Sequence, residues 1–140
     1  MVAVATYLAD TSVLARLRKP AVAEVLVPLI DRGLVAVCGV VAMEIMVGAR
    51  NPRHADDVRE WFLGFERLPI SDDVFSRAED VQSSLIDTSE HRTVKLPDLL
   101  IAATAERHRV TVLHYDKDFD RIAEVTGQPT EWVVPAGEAD

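Results

Sequence analysis

The sequence predicts an α/β fold, a three-layer α/β/α arrangement with a central, mostly parallel sheet of four or five strands. Three observations carry that expectation. Short apolar runs (Val2 to Ala9, Leu34 to Cys38 and Val110 to Leu113) recur along the chain. They show little polar alternation, as strands covered on both faces do. Segments of helical period lie between them, and strands that alternate with helices form βαβ units and a parallel sheet.

Taken in order, the first run is broken at Asp10-Thr11-Ser12 before an apolar spacing begins at Val13, Leu14 and Leu17. A strand handing over to a helix has this form: N-cap types, then period 3.6. Ser12 to about Arg18 reads as a short helix. Pro20 opens a second, which Pro28 should kink or split because it lacks an N–H donor and clashes with the preceding turn. Asp31-Arg32-Gly33 stops it. Leu34 to Cys38 is the second strand, and Gly39 leads into a helix from Val40 to Arg50. After Asn51-Pro52, the residues Val58, Trp61, Phe62 and Phe65 mark a helix up to about Glu66. Leu68-Pro69-Ile70 reads as a short edge strand, since proline tolerates only an edge or a strand end. Ser71-Asp72-Asp73 caps a long helix with the stripe Val74, Ala78, Val81 and Leu85, the clearest helical period in the chain. Asp87 to Leu96 reads as a surface loop. Pro97 opens the helix Leu99 to His108. Val110 to Leu113 is a strand, Asp116 to about Thr126 a helix ended by Gly127, and Glu131 to Val134 a last edge strand.

Bulk composition narrows the class. The 140 residues are 49% hydrophobic and 27% charged, enough for one domain over 1–140 that buries roughly two-thirds of its unfolded surface. The longest apolar run, Leu34 to Met43, is about half a membrane span, so no membrane segment is expected. The start of the chain lacks the basic and apolar stretches of a signal peptide. The one cysteine, Cys38, cannot form an internal disulfide, which suits a reducing cytoplasm. It reads as a small buried hydrophobe. A net charge of −8 argues against a broad basic face for nucleic acid, but not against a nucleic-acid enzyme whose acidic pocket is filled by metal ions.

Four carboxylates stand out: Asp10 follows the first strand, Glu44 is about a turn into the helix after the second, Asp98 starts a helix, and Asp116 follows the strand Val110 to Leu113. Capping of a helix start accounts for many aspartates so placed. Capping therefore remains an alternative for Asp10, Asp98 and Asp116 taken singly. Glu44 differs, because no other charge occurs in the ten residues before it or the five after it. A carboxylate in so apolar a helix should be partly buried, and a buried unpaired charge costs several kcal/mol unless it is neutralised or coordinated. If all four share one rim, their repulsion calls for a cation. Oxygen ligands without a Cys or His cluster specify Mg²⁺ or Mn²⁺ over zinc. Metal-assisted phosphodiester hydrolysis is the chemistry to expect. The histidines (His54, His91, His108 and His114) show no ligand spacing and read as surface or packing residues.

The order Ala9-Asp10-Thr11-Ser12, then Glu44 in a helix, then Pro97-Asp98-Leu99-Leu100-Ile101-Ala102-Ala103-Thr104-Ala105, then Asp116-Lys117-Asp118-Phe119 resembles the PIN-domain nucleases. Among these it is most similar to the VapC-type toxins of bacterial toxin–antitoxin pairs. The resemblance covers almost the whole chain. It implies a Mg²⁺- or Mn²⁺-dependent endoribonuclease acting on structured RNA such as tRNA or rRNA and leaving a 5′-phosphate and a 3′-hydroxyl. It further implies an acidic site at Asp10, Glu44, Asp98 and Asp116, with Asp118 a further ligand of a second ion and the hydroxyl of Thr11 or Ser12 positioning water or phosphate. A homodimer and inhibition by a VapB-type antitoxin are likewise implied. Relatives often carry Thr or Ser where this chain has His114, which leaves open whether Asp116 or Asp118 is the main ligand. Three rival readings compete: a catalytically inactive PIN-like binding module, a phospho-receiver-like signalling domain, and a phosphatase-class domain, which needs Asp-x-Asp at the end of the first strand where this chain has Ser12. The second fits poorly, because Asp10 is followed by Thr11 and Ser12 where adjacent acids are needed.

Overall fold

A computed structural model describes residues 3–140. In chain order the elements are β1 (Tyr7–Ala9), α1 (Thr11–Leu14), α2 (Pro20–Asp31), β2 (Val35–Cys38), α3 (Gly39–Val47), α4 (Pro52–Phe62), β3 (Glu66–Leu68), α5 (Asp72–Asp87), α6 (Leu96–His108), β4 (Thr111–His114), α7 (Asp118–Thr126) and β5 (Thr130–Trp132). Among the described residues the strands form one five-stranded sheet in the order β3-β2-β1-β4-β5, with every neighbouring pair parallel. The chain winds outward from β1 through β2 to β3, then returns to place β4 on the other side of β1. The strand order therefore reverses between β1 and β4, and in open α/β sheets such a reversal opens a crevice at the carboxyl ends of the strands. Asp10 lies there: it follows β1, and its backbone N–H donates to Leu113 O at 2.9 Å.

Packing explains the helices. The α5 stripe Val74, Ala78, Val81 and Leu85 is buried as its period requires. In α6, Leu99, Ile101, Ala102, Ala103 and Ala105 are all buried, and a helix apolar on most sides belongs in the interior. Its N-terminus points at the rim, which carries Asp98 to the same place. β2 is buried throughout.

Several boundaries differ from those read in the sequence. The first apolar run includes Val2, outside the described residues, and its strand begins only at Tyr7. α1 is a single turn and stops at Leu14. Pro28 does not split α2, which is helical from Pro20 to Asp31. The N–H that Pro28 lacks would have met the carbonyl of Glu24, and both residues lie on the exposed side of the helix, where solvent can offset a missing bond. α4 ends at Phe62 because Leu63, Gly64 and Phe65 turn, with Phe65 packed on Trp61 at 4.8 Å. β3 consequently falls at Glu66–Leu68, ahead of Pro69. The acid is tolerated in that edge strand because its Oε1 accepts the Ala5 N–H at 2.8 Å. β5 pairs from Thr130 and not from Glu131, and α7 starts at Asp118, leaving Asp116 on the preceding turn. No helix among the described residues is long and apolar enough to cross a membrane.

Candidate functional site

Asp10 is 3% exposed and caps α1, its Oδ2 accepting the Ser12 N–H at 3.0 Å and the Ser12 hydroxyl as well. Ser12 Oγ in turn accepts the Tyr115 N–H at 2.9 Å, which ties the turn after β1 to the turn after β4. Oδ1 of Asp10 is buried without a hydrogen-bond partner among the described residues. Burial raises the pKa of Asp10, the hydrogen bonds from Ser12 oppose the rise, and the charge of Glu44 adds to it. Glu44 is half-buried on α3, and its Oε1 accepts the Thr11 hydroxyl at 2.6 Å. The isolated acid thus has a neutral partner, a threonine from α1.

Asp98 is the most exceptional of the acids. It occupies the first turn of α6 yet makes no capping bond, and the N-cap residue Lys95 supplies none either. It is 5% exposed, with Oδ2 lacking any hydrogen-bond partner among the described residues. Burial pushes its pKa up to about 8; the charges of Asp10 and Asp116 push the same way, and Lys95 opposes them. A carboxyl group kept protonated near neutral pH by burial, and further by other carboxylates, is one that a cation would ionise.

Asp116 and Asp118 come from the turn after β4. Oδ1 of Asp116 accepts the Asp118 N–H at 2.9 Å. Lys95 Nζ lies 3.4 Å from Asp116 Oδ2, and Arg121 Nη1 lies 2.8 Å from Asp118 Oδ1. One carboxylate oxygen from each of Asp98, Asp116 and Asp118 falls within 4.8 Å of the others, close enough for a single ion to bridge. That trio does not include Asp10 or Glu44. Of the carboxylates read from the sequence, the structure therefore brings Asp98, Asp116 and Asp118 to ligand distance. It places Asp10 near enough to perturb Asp98, and Glu44 beside Asp10 on the α1 side. The trio, two orphaned buried carboxylate oxygens and an all-oxygen donor set fit a hard divalent cation.

His114 is wholly buried, with Phe119 and Trp132 each 5.0 Å from its ring. Burial lowers its pKa to about 4. Its Nδ1 accepts the Asp116 N–H at 3.2 Å, so this packing residue also fixes the backbone that carries Asp116. Lys95 and Arg121 were not singled out in the sequence. Arg121 stands three residues after Asp118 on α7, a spacing that pairs charges, whereas Lys95 meets Asp116 only through the tertiary fold.

The PIN domain model matches residues 7–125 of this chain. The chain belongs to the PIN-domain family. Within that family it stands among the VapC proteins: it is 46% identical to "Ribonuclease VapC21" of Mycobacterium tuberculosis over 136 residues, 95% of this chain and 97% of the relative. It is 43% identical to "Ribonuclease VapC51" of the same species, covering 96% and 97%. Among solved structures, the DNA-bound VapBC of Salmonella typhimurium shares the fold of this PIN domain with a TM-score of 0.76 at 17% identity, covering 93% of this chain and 99% of that one. A toxin–antitoxin complex from Klebsiella pneumoniae aligns with a TM-score of 0.70 at 25% identity, covering 91% and 98%.

Proposed function

We propose that this PIN domain is a metal-dependent endoribonuclease, the toxin of a type II toxin–antitoxin module, hydrolysing phosphodiester bonds in structured RNA such as tRNA or rRNA. The ribonuclease names of its VapC relatives support the activity. Structural neighbours solved as VapBC complexes support a VapB-type antitoxin as partner. The observation that carries the reading is Asp98: buried, uncapped, lacking a partner for Oδ2, and within 4.8 Å of Asp116 and Asp118. Nothing in the packing of α6 calls for an acid at that position.

In this reading Asp98, Asp116 and Asp118 hold Mg²⁺ or Mn²⁺, and Asp10 and Glu44 complete the acidic site. A bound ion supplies activation of water and stabilises the negative charge that grows on the phosphate oxygens. The chain's own residues set the geometry. Ser12 donates to Asp10 and so leaves Oδ1 as the carboxylate oxygen free to act at the site. Thr11 holds Glu44 on its side of the crevice. His114 and the Asp118 N–H fix Asp116 from both ends. The ammonium of Lys95, 69% exposed at the mouth, is placed to meet the phosphate of an incoming strand. A homodimer in the cytoplasm, acting as one unit over 1–140, completes the proposal. The test is cleavage of tRNA and rRNA by purified protein. Cleavage that requires Mg²⁺ or Mn²⁺, stops with a chelator, leaves 5′-phosphate ends and vanishes in Asp98→Asn supports the reading. Intact RNA with every divalent ion tried would leave a non-catalytic binding module.

A further inference from the structure

Beside the acidic site, between α1, α3 and α4, lies a cavity of about 590 Å³. Thr11 and Glu44, which also belong to the acidic site, line it together with Arg18, His54, Asp57 and Trp61. We propose that this cavity receives the nucleotide adjoining the scissile phosphate of an RNA strand, with its base laid against Trp61 and its phosphate facing Arg18. The inference rests on the endoribonuclease reading and adds where the substrate strand runs and which residues read it.

Continuity is the first support. Thr11 and Glu44 belong both to the acidic site and to the cavity wall, so a strand whose phosphate sits at the acids carries its neighbouring nucleotide into this space. The second is Trp61, a core-type aromatic of α4 that is nevertheless 40% exposed. Its ring is backed by Phe65 at 4.8 Å and Phe62 at 5.3 Å, which makes it a rigid platform. Unstacked bases bind on aromatic side chains of this kind. The third is the polar lining. Arg18 is an exposed cation in a chain of net charge −8, which suits a phosphate contact. His54 Nδ1 accepts the Arg50 N–H at 3.1 Å, so in the neutral ring the proton lies on Nε2 and makes it a donor. Asp57 offers an acceptor for an exocyclic amino group. A donor, an acceptor and a cation among the lining residues, beside the apolar Leu14, Leu17, Ile45 and Val58, suit a nucleotide, which carries both polar edges and a flat apolar face.

The test maps cut ends in total tRNA and rRNA for the wild type, Trp61→Leu, Trp61→Phe and Arg18→Gln. Expected for Trp61→Leu is loss of base preference at one position flanking the cut and a roughly five- to hundredfold rise in KM, the range for one lost base–aromatic stack, with kcat changed by less than about threefold. Trp61→Phe should retain the preference. Arg18→Gln should raise KM alike for all sequences, as a phosphate contact does. Binding gives a readout independent of turnover and of the fate of the leucine variant. A random-sequence RNA octamer should quench tryptophan fluorescence in Asp98→Asn, and the quench should disappear when Trp61→Phe is added. Unchanged preference and KM in Trp61→Leu, or a quench indifferent to Trp61, would overturn the subsite while leaving the nuclease standing. Quenching by a VapB-type peptide but not by the octamer would give the cavity to a protein ligand and also overturn it. A wild type that cuts no RNA yet shows the Trp61-dependent quench would remove the nuclease reading and keep the RNA-binding cavity.

Discussion

Asp10 and Glu44, on the α1 side of the crevice, are each met by a hydroxyl, Ser12 for one and Thr11 for the other. Across the crevice, Asp116 and Asp118 are met by cations, Lys95 and Arg121, and Asp98 Oδ2 is met by nothing among the described residues. A neutral donor orients a carboxylate without cancelling its charge, whereas a cation cancels charge and competes with an incoming ion. The α1 side is therefore prearranged and stays acidic, and the other side must exchange its partners when an ion arrives. Asp98 is the pivot, because its unmet oxygen gives an ion the most to gain.

The sharpest way to break this contrast is Asp98→Asn. The substitution keeps size and removes the charge, and cleavage should fall at least about a hundredfold, beyond the effect of losing a group that merely supports a ligand. The melting temperature of the metal-free protein should hold or rise, since a buried acid among other acids is gone. Steady-state cleavage and a thermal melt check both halves. Glu44→Gln comes next. Cleavage should be lost while the fold is kept, because Thr11 can still donate to the amide oxygen, but ion affinity should drop only about tenfold. A Glu44→Gln protein that cleaves normally would show that the α1 side contributes nothing to the chemistry.

The pH dependence sharpens the same contrast. The pKa of Asp98 is raised from 3.8 to about 8, so between those values the folded state holds a proton that the unfolded state has released. Stability of the metal-free protein then falls as pH rises through that window. His114 acts oppositely: its pKa is lowered from 6.5 to about 4, so its contribution is complete above 6.5 and lost as pH falls toward 4. Above pH 6.5 only the acids remain, and the metal-free melting temperature should decline from there to pH 8. Adding Mn²⁺ should reverse the trend, because the ion displaces the proton of Asp98, with affinity rising at most about tenfold per pH unit. The smallest effect belongs to Lys95→Met. It removes a cation competing at Asp116 and should tighten Mn²⁺ binding severalfold, yet change stability by only about 0–1 kcal/mol, as for any exposed ion pair. Calorimetric titration of the variant reads the first, a melt the second.

The sheet and its rim were largely legible in the sequence, since continuous apolar runs and the Val74–Leu85 stripe report burial directly. Element ends were less so. Phe65 has the apolar character of a helix face but packs as a turn residue on Trp61, which moved the end of α4 and the start of β3. Pro28 violated a local rule at a position where solvent removes the cost. The acids were read as a set, but their grouping was not. Asp98, Asp116 and Asp118 converge because α6 and the turn after β4 meet at the strand-order reversal, and no spacing within either segment encodes that meeting. The partnership of Lys95 with Asp116 spans 21 positions of sequence and has no local signature at all.

The central claim, that Asp98, with an unmet buried oxygen, converges with Asp116 and Asp118 to hold a divalent ion, is tested most directly by titrating the metal-free protein with Mn²⁺ at pH 6.5 and pH 8. The account predicts saturable binding that is tighter at pH 8, releases protons at pH 6.5, and is lost in Asp98→Asn. Equal affinity in wild type and Asp98→Asn, with no proton released, would contradict it.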